Sequence, residues 1–232
     1  MLLLGQAVGA GRYARRVAKR PGPRGRRVPR AVREREILDV AEREFAEHGF
    51  QGASMDAVAA GAGISKPLVY SYFGSKEGLY RAIVARAGDN FRARVAEVSA
   101  AGSADLRMWR GILAYFDFVE QYRWGWTVLY RQYAGGGALA AELDRNRAAV
   151  TDLLADLFVD VAREHGMAEE LLGEVRVQAH TFEGAAEGLG RRWLQHLDEP
   201  KELQALRLMN FAWRGVENML AGHIWLPPEA SS

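Results

Sequence analysis

Three serines about ten positions apart, at residues 54, 65 and 75, are the side chains whose type and spacing first suggest chemistry. Each precedes a segment with helical spacing, which predicts three helix caps: Ser54 on Met55–Ala60, Ser65 on Lys66–Ser71 and Ser75 on a long helix from Lys76. Pro67 fits the first turn of its helix. Free N–H groups and the dipole at a helix N-terminus attract phosphate, so the three segments could bind a nucleic-acid backbone.

The segment 54–73 has the pattern of a helix–turn–helix. Met55 and Val58 fall on the inward face of the first helix, and Ala62-Gly63-Ile64 forms the turn, with Gly63 where a positive φ is easiest. The N-terminal residues of the second helix would then enter the major groove of DNA.

Short motifs in register extend this pattern from Arg35 to Tyr80, about a fifth of the chain. They are Ile37-Leu38, Phe45, Gly49-Phe50, Ser54-Met55, Ala62-Gly63-Ile64-Ser65-Lys66, Val69-Tyr70-Ser71-Tyr72-Phe73 and Ser75-Lys76-Glu77-Gly78-Leu79. This arrangement closely resembles the DNA-binding domain of the TetR family of transcriptional regulators. The rest of the chain is similar to that family in size and all-helical layout.

The resemblance implies roles for individual positions. Those matching DNA-contacting, helix-capping or groove-facing positions are Ser54, Ser65, Lys66, Pro67, Leu68, Tyr70, Ser71 and Lys76. Leu68 stands where many members carry a small or polar residue, and Ser71 where many carry His. Leu68 could contact a thymine methyl and Ser71 a phosphate or base, so the operator sequence cannot be transferred from relatives. The alternative for the two lysines is ordinary solvation, and we expect Tyr72 and Phe73 in the core.

Aromatic residues are concentrated in residues 105–134. A pocket between helices, mainly apolar with a few polar groups, would suit a drug-sized or lipid-like effector. The candidate lining residues are Trp109, Leu113, Phe116, Trp126, Tyr130, Phe158 and Phe182. Each could equally serve a helical core, and the existence of a pocket is what the resemblance implies.

His180, Glu183 and Glu187 recur at helical spacing. The preferred interpretation is a solvated or interface row, followed by polar pocket groups and then by metal ligands. No metal motif occurs in the sequence. Residues 9–14 fit the dinucleotide pattern G-x-G-x-x-A, but no long strand precedes them and no strand–helix–strand unit follows, so we expect neither a metal nor a cofactor.

Two apolar stripes on the helices at 170–197 and 201–223 could form a four-helix interface between two subunits. Burial within one subunit is the alternative. The family resemblance implies a homodimer, and a two-fold partner would let two recognition helices read two half-sites.

Charge is unevenly distributed along the 232 residues. Residues 1–35 hold 11 of the 31 Lys and Arg residues and one of the 29 acidic residues. Residues 1–30 therefore read as a flexible basic arm that either binds DNA or is simply solvated. The chain has no Cys, which excludes thiol catalysis and Cys–metal sites, and no apolar run long enough for a membrane helix. We expect a cytoplasmic protein.

The predicted fold is all-α, with helices at about 105–122, 124–134, 138–165, 170–197 and 201–223 in the second half. The predicted organisation is an arm at 1–30, a helix-turn-helix domain at 31–80 whose linking helix continues to about 101, and a ligand-binding and dimerisation domain at 102–226. The expected function is a ligand-responsive, sequence-specific transcriptional regulator that binds double-stranded DNA. A repressor is favoured over an activator. The alternative is non-specific or architectural DNA binding by the arm. No catalytic constellation is present, so an enzyme is not expected.

Overall fold

A computed structural model describes residues 28–97, 101–131, 137–221 and 223. Within these ranges the secondary structure is entirely helical. The helices are α1 Arg30–Gly52, α2 Met55–Gly61, α3 Lys66–Phe73, α4 Lys76–Glu97, α5 Ala104–Gln121, α6 Arg123–Tyr130, α7 Ala138–Glu164, α8 Leu172–Trp193 and α9 Lys201–Leu220, with a short 3-10 turn at Glu169–Leu171 before α8. The all-α prediction is confirmed, and each helix predicted in the second half is found within a few residues of its expected bounds.

The first three helices and the start of α4 form a unit that we call the head. They share one apolar core, the head core, to which α6 and α7 also contribute Val128, Leu129, Leu139 and Leu143. Ile37 and Phe45 of α1, Val58 of α2, Val69 of α3 and Leu79 of α4 are all buried in it. On α1 the buried residues Ile37, Leu38, Ala41 and Phe45 recur at three- and four-residue spacing, which puts one stripe inward and leaves the opposite face in solvent. This core fixes the orientation of the short helix α3, which could not form stably alone.

Local signals place the helix ends. Gly49 adopts φ +69 and interrupts α1, as its position predicts, and Gly63 adopts φ +65 in the turn between α2 and α3. Ser54 accepts a hydrogen bond from the Ala57 N–H at 3.3 Å, and Ser75 accepts one from the Gly78 N–H at 3.0 Å. Those two predicted caps are confirmed.

Ser65 differs from the other two serines. It occupies the N-cap position of α3, but its side chain makes no capping hydrogen bond. The backbone carbonyl of Ser65 nevertheless accepts the first helical bonds from Leu68 and Val69. With Pro67 in the first turn one of the free donors is already absent, so less remains for a side chain to cap.

The second half packs around a separate aromatic cluster. Phe116 and Phe118 of α5, Trp126 of α6 and Trp193 of α8 are buried there, together with Phe91 from the far half of α4. The helix α4 therefore belongs to both cores, and it runs from the head into the second half without a break. The loop predicted at 101–103 is present, with Gly102 at φ +110.

The predicted arm lies almost entirely outside the described residues, because the description begins at Val28. Arg30 is a correction to it: this residue starts α1, and its guanidinium lies 4.6 Å from the centre of the Tyr72 ring. A cation over an aromatic face is attracted by the ring quadrupole, which ties the start of α1 to α3.

Candidate DNA-binding and effector sites

The helix α3 presents a polar and apolar mixed face to solvent. Five of the predicted contact residues are exposed on α3: Lys66, Pro67, Leu68, Tyr70 and Ser71. Val69 between them is fully buried, and Tyr72 and Phe73 are partly buried against the head core, as expected. The buried residues hold the helix while the exposed ones remain available to a partner.

Lys66 has a protein partner at the start of α3. Its ammonium lies 2.9 Å from the Asp56 carboxylate of α2, and this hydrogen bond raises the pKa of Lys66. Both groups are solvent-exposed, so the pair is weak and its exchange for a phosphate costs little.

The predicted DNA-contact residue Lys76 makes contacts within the protein. Its ammonium donates to the carbonyl oxygens of Ala53 at 2.6 Å and Gln51 at 3.1 Å, and it lies 5.2 Å from the centre of the Phe50 ring. These carbonyls follow the Gly49 break and have no helical partner. Lys76 therefore closes the junction between α1 and α2, and in this conformation its charge is directed into the protein.

The serines of the head also make protein contacts. The Ser54 N–H donates to the Glu44 carboxylate at 2.8 Å, and the Ser71 hydroxyl donates to the Leu68 carbonyl at 2.7 Å. A hydroxyl that donates once keeps its acceptor lone pairs. Ser71 can therefore still accept a hydrogen bond from a base amine.

A cavity of about 210 Å³ lies among the helices of the second half. Its wall is mainly apolar and comes from α4 through α9. The lining includes Phe91, Val95, Met108, Ile112, Tyr115, Leu154, Leu157, Leu208, Trp213 and Val216. Such a cavity can enclose the apolar part of a small molecule.

Three of the seven predicted effector residues line this cavity: Tyr130, Phe158 and Phe182. The rings of Phe158 and Phe182 pack with centres 5.4 Å apart.

The other four predicted residues do not line it. Phe116 is fully buried with its ring 5.6 Å from that of Trp193, and Trp109 and Leu113 pack against the same aromatic cluster. Trp126 is buried beside the lining residue Tyr115, and its indole N–H donates to the Tyr115 hydroxyl at 3.2 Å.

The reason is helical phase. The α5 residues that face the cavity are Ala104, Arg107, Met108, Gly111, Ile112 and Tyr115. They form a stripe at three- and four-residue spacing, and the predicted stripe was one residue, or 100°, further round the helix. Either stripe is apolar, so periodicity alone could not choose between them.

Polar groups on the cavity wall are few. Arg107 donates to the Glu164 carboxylate at 3.0 Å. Burial raises the pKa of Glu183, and the charge of Glu187 raises it further. Burial also raises the pKa of the Tyr130 hydroxyl, which interacts with Glu183. The three residues His180, Glu183 and Glu187 therefore do not share one environment, because Glu183 lines the cavity and His180 is exposed.

Comparison with known proteins decides the family. Residues 37–83 match the family model for bacterial regulatory proteins of the tetR family, and residues 105–215 match the tetracyclin repressor-like C-terminal domain. The HTH-type transcriptional activator FasR of Mycolicibacterium smegmatis is 31% identical over 219 residues, which cover 88% of this chain and 94% of FasR. The chain belongs to the TetR family of transcriptional regulators.

Other relatives agree with this assignment. The HTH-type transcriptional repressor AcnR of Corynebacterium glutamicum is 35% identical over 89 residues, 38% of this chain and 43% of AcnR. The crystal structure of a TetR-like regulator from Rhodococcus sp. RHA1 superimposes with a TM-score of 0.68 at 32% identity, covering 82% of this chain and 99% of that one. The family is one of regulators that bind DNA and small molecules and dimerise.

In this TetR-family chain the cavity and the head are joined through α6. Tyr130 at the end of α6 lines the cavity, and the next residue, Arg131, donates to the Ala46 carbonyl of α1 at 2.5 Å. Further along the same boundary, the Tyr80 hydroxyl lies 3.5 Å from the Val128 carbonyl. A displacement of Tyr130 would therefore reach the head through directly bonded groups.

The outer face of α8 and α9 carries exposed apolar residues. Phe211 is 69% exposed and Val177 55% exposed. Gly184 and Gly188 on the same face of α8 have open space where a side chain would be. Most of the predicted α8 stripe is instead buried in its own subunit, including Val175, Ala179, Ala186 and Trp193. On α8 the exposed apolar face therefore lies outside most of the predicted stripe, whereas Leu203 and Leu206 of the predicted α9 stripe are exposed.

The described ranges contain neither a metal-binding cluster nor a membrane-spanning helix. Within the described ranges, no three His, Cys, Asp or Glu side chains converge as a metal-ion site requires. Across the same ranges, none of the helices has both the length and the apolarity needed to cross a bilayer.

Proposed function

We propose that this TetR-family chain is a sequence-specific repressor that binds its operator as a homodimer and is released by a small apolar or aromatic effector. The observation that carries the proposal is the exposed face of α3, which buried Val69 anchors to the head core. A short helix held in this way presents a fixed pattern of groups to a major groove.

The DNA contacts proposed for α3 and its flanks omit Lys76, which is occupied by backbone carbonyls. Leu68 and Ser71 would meet base edges, and Lys66 would exchange Asp56 for a phosphate. The full proposed set is Ser54, Ser65, Lys66, Pro67, Leu68, Tyr70 and Ser71.

Dimerisation would use the outer face of α8 and α9, where Phe211 and Val177 are exposed beside the open glycines. Close approach of two such faces would bury these side chains and bring two heads to successive major grooves.

The proposed effector acts from the cavity through Tyr130, Arg131 and α4. It can change operator affinity only if it binds the DNA-bound and released conformations with different affinities. Repression is the favoured direction because the relative AcnR is named a transcriptional repressor. The relative FasR is named an activator. A reporter gene with the operator upstream of its promoter would therefore distinguish activation from repression.

Fluorescence anisotropy with the chain's own upstream DNA and a scrambled duplex tests the proposal. We expect tight binding to the first duplex, weak binding to the second, and a steep loss of affinity with salt, because phosphate contacts release counterions. Two subunits should bind each site. Equal affinity for both duplexes would instead support non-specific binding.

A recognition variant sharpens the test. Leu68→Ala removes an exposed side chain, so folding is retained, and loss of a base contact is expected to weaken operator binding about tenfold. Gln195→Ala, on the exposed segment after α8, is the matched control and should bind like the wild type. Equal losses in both variants would contradict a role for α3.

A further inference from the structure

The charged groups on the cavity wall are unbalanced. Three acidic residues and one basic residue line it: Asp160, Glu164, Glu183 and Arg107. Arg107 and Glu164 form an ion pair with each other, through two hydrogen bonds. Asp160 is mainly in solvent and has Arg163 4.0 Å away. The carboxylate that is left is Glu183.

Glu183 is held against the apolar part of the wall by α8. The Tyr130 hydroxyl interacts with it. Among the residues that the structure describes, no Lys or Arg side chain comes within ion-pair distance of Glu183. Arg147 donates to the Leu129 carbonyl at 2.7 Å, and Glu187 is paired with Arg191. The charges of His180 and Arg147 lower the pKa of Glu183, but neither side chain forms an ion pair with it. His180 is exposed one turn earlier on α8.

Aromatic rings line the same cavity as this carboxylate. Tyr115, Tyr130, Phe158 and Phe182 all line the same cavity, and Phe91 closes it from α4. The faces of aromatic rings attract a cation, most strongly where water is excluded. A buried carboxylate is also stabilised by a cation, which repays its lost hydration. The wall therefore complements positive charge and an apolar body.

We propose that the effector of this regulator is a lipophilic amine, whose protonated nitrogen pairs with Glu183 between the aromatic rings while its apolar chain fills the rest of the cavity. This inference rests on the proposed function and names the chemical class of its ligand. A fatty carboxylate is disfavoured, since its charge would meet Glu183, and the arginine on the wall is already paired with Glu164. A neutral alcohol would fill the apolar space without the ion pair.

The inference is tested by isothermal titration calorimetry of the full chain at neutral pH, which measures the dissociation constants of decylammonium, decanol and decanoate. These three probes differ only in the head group. We expect decylammonium to bind at least tenfold more tightly than decanol, and decanoate to bind most weakly. Decanoate binding as tightly as decylammonium, or no binding of decylammonium, would overturn the proposal.

The matched variants assign the selectivity to one side chain. Glu183→Gln keeps the shape of the wall and should bring the affinities for decylammonium and decanol within about threefold, with decanol binding unchanged. Glu187→Gln makes the same change in net charge one turn away, at a carboxylate paired with Arg191, and should keep the wild-type ratio. If both variants lose the preference equally, general attraction to an acidic surface explains it and the proposal fails.

Operator anisotropy on the same samples separates this inference from the proposed function. Selective operator binding without decylammonium binding would leave the regulator in place and overturn the amine as its effector. Glu183-dependent decylammonium binding without duplex discrimination would support the ligand class and contradict sequence-specific regulation.

Discussion

Gly78 at the start of α4 is the position where a single methyl group should disturb the DNA-binding head most. A Cβ built on Gly78 would lie 2.0 Å from the backbone carbonyl oxygen of Phe73, the last residue of α3. Only Gly74 and Ser75 connect the two helices, so the end of α3 rests directly on the first turn of α4. Gly78→Ala therefore requires the backbone of α3 to move.

The size of that movement sets the expected cost. Ordinary van der Waals contact begins at 3.4 Å, so α3 must shift by about 1.4 Å relative to α4. Overpacking that forces backbone shifts typically costs about 1–3 kcal/mol, and here the neighbouring atom is backbone, which has no rotamer to relieve it. The same shift displaces the exposed face of α3, so operator affinity should fall by at least about tenfold in addition.

Gly88→Ala in the same helix is the matched control. Its Cβ would meet only the flexible Arg92 guanidinium, at 3.4 Å, and alanine is favoured over glycine in a helix interior. We expect Gly88→Ala to change the free energy of unfolding by between zero and about 1 kcal/mol in the stabilising direction. Urea unfolding at one fixed protein concentration measures both variants, because a dimer's stability depends on concentration.

Two outcomes would contradict a constraining contact between Phe73 and α4. If Gly78→Ala unfolds at the same urea concentration as the wild type and binds the operator with unchanged affinity, the contact between Phe73 and α4 does not constrain α3. Equal destabilisation by the two alanines would show a general intolerance of α4 and would also contradict the argument.

Three further predictions concern single side chains. Lys76→Met should lower the free energy of unfolding by about 1–3 kcal/mol in urea titrations, because the Ala53 carbonyl loses its charged donor; an unchanged midpoint would contradict this. Arg131→Ala removes the hydrogen bond to Ala46 and should cost about 1–2 kcal/mol by the same measurement. Burial raises the pKa of Glu183 in the folded chain, so between its ordinary and raised values the folded state holds more protons than the unfolded state. Wild-type stability relative to Glu183→Gln should therefore fall as pH rises from about 4 to 7, and a rise would contradict the assigned direction.

Most of the architecture of the head can be predicted from local sequence preferences. The breaks at Gly49 and Gly63 and the caps at Ser54 and Ser75 depend on the preferences of residues within one turn of each other, so they are legible without knowing the fold. The apolar spacing of α1, α2 and α4 likewise predicted which of their faces are buried. The exposed residues of α3 were those that the family resemblance implied.

The residues that line the cavity and the contacts of Lys76 depend on how distant helices pack. On α5, two apolar stripes differ by 100°, and the choice between them depends on where α7, α8 and α9 pack, which brings together residues far apart in the chain. Lys76 points inward because Gly49 leaves the Gln51 and Ala53 carbonyls unpaired 23 to 25 residues earlier. Glu183 lies half-buried on the cavity wall because of the rotation of α8, and helical spacing alone left that face undetermined.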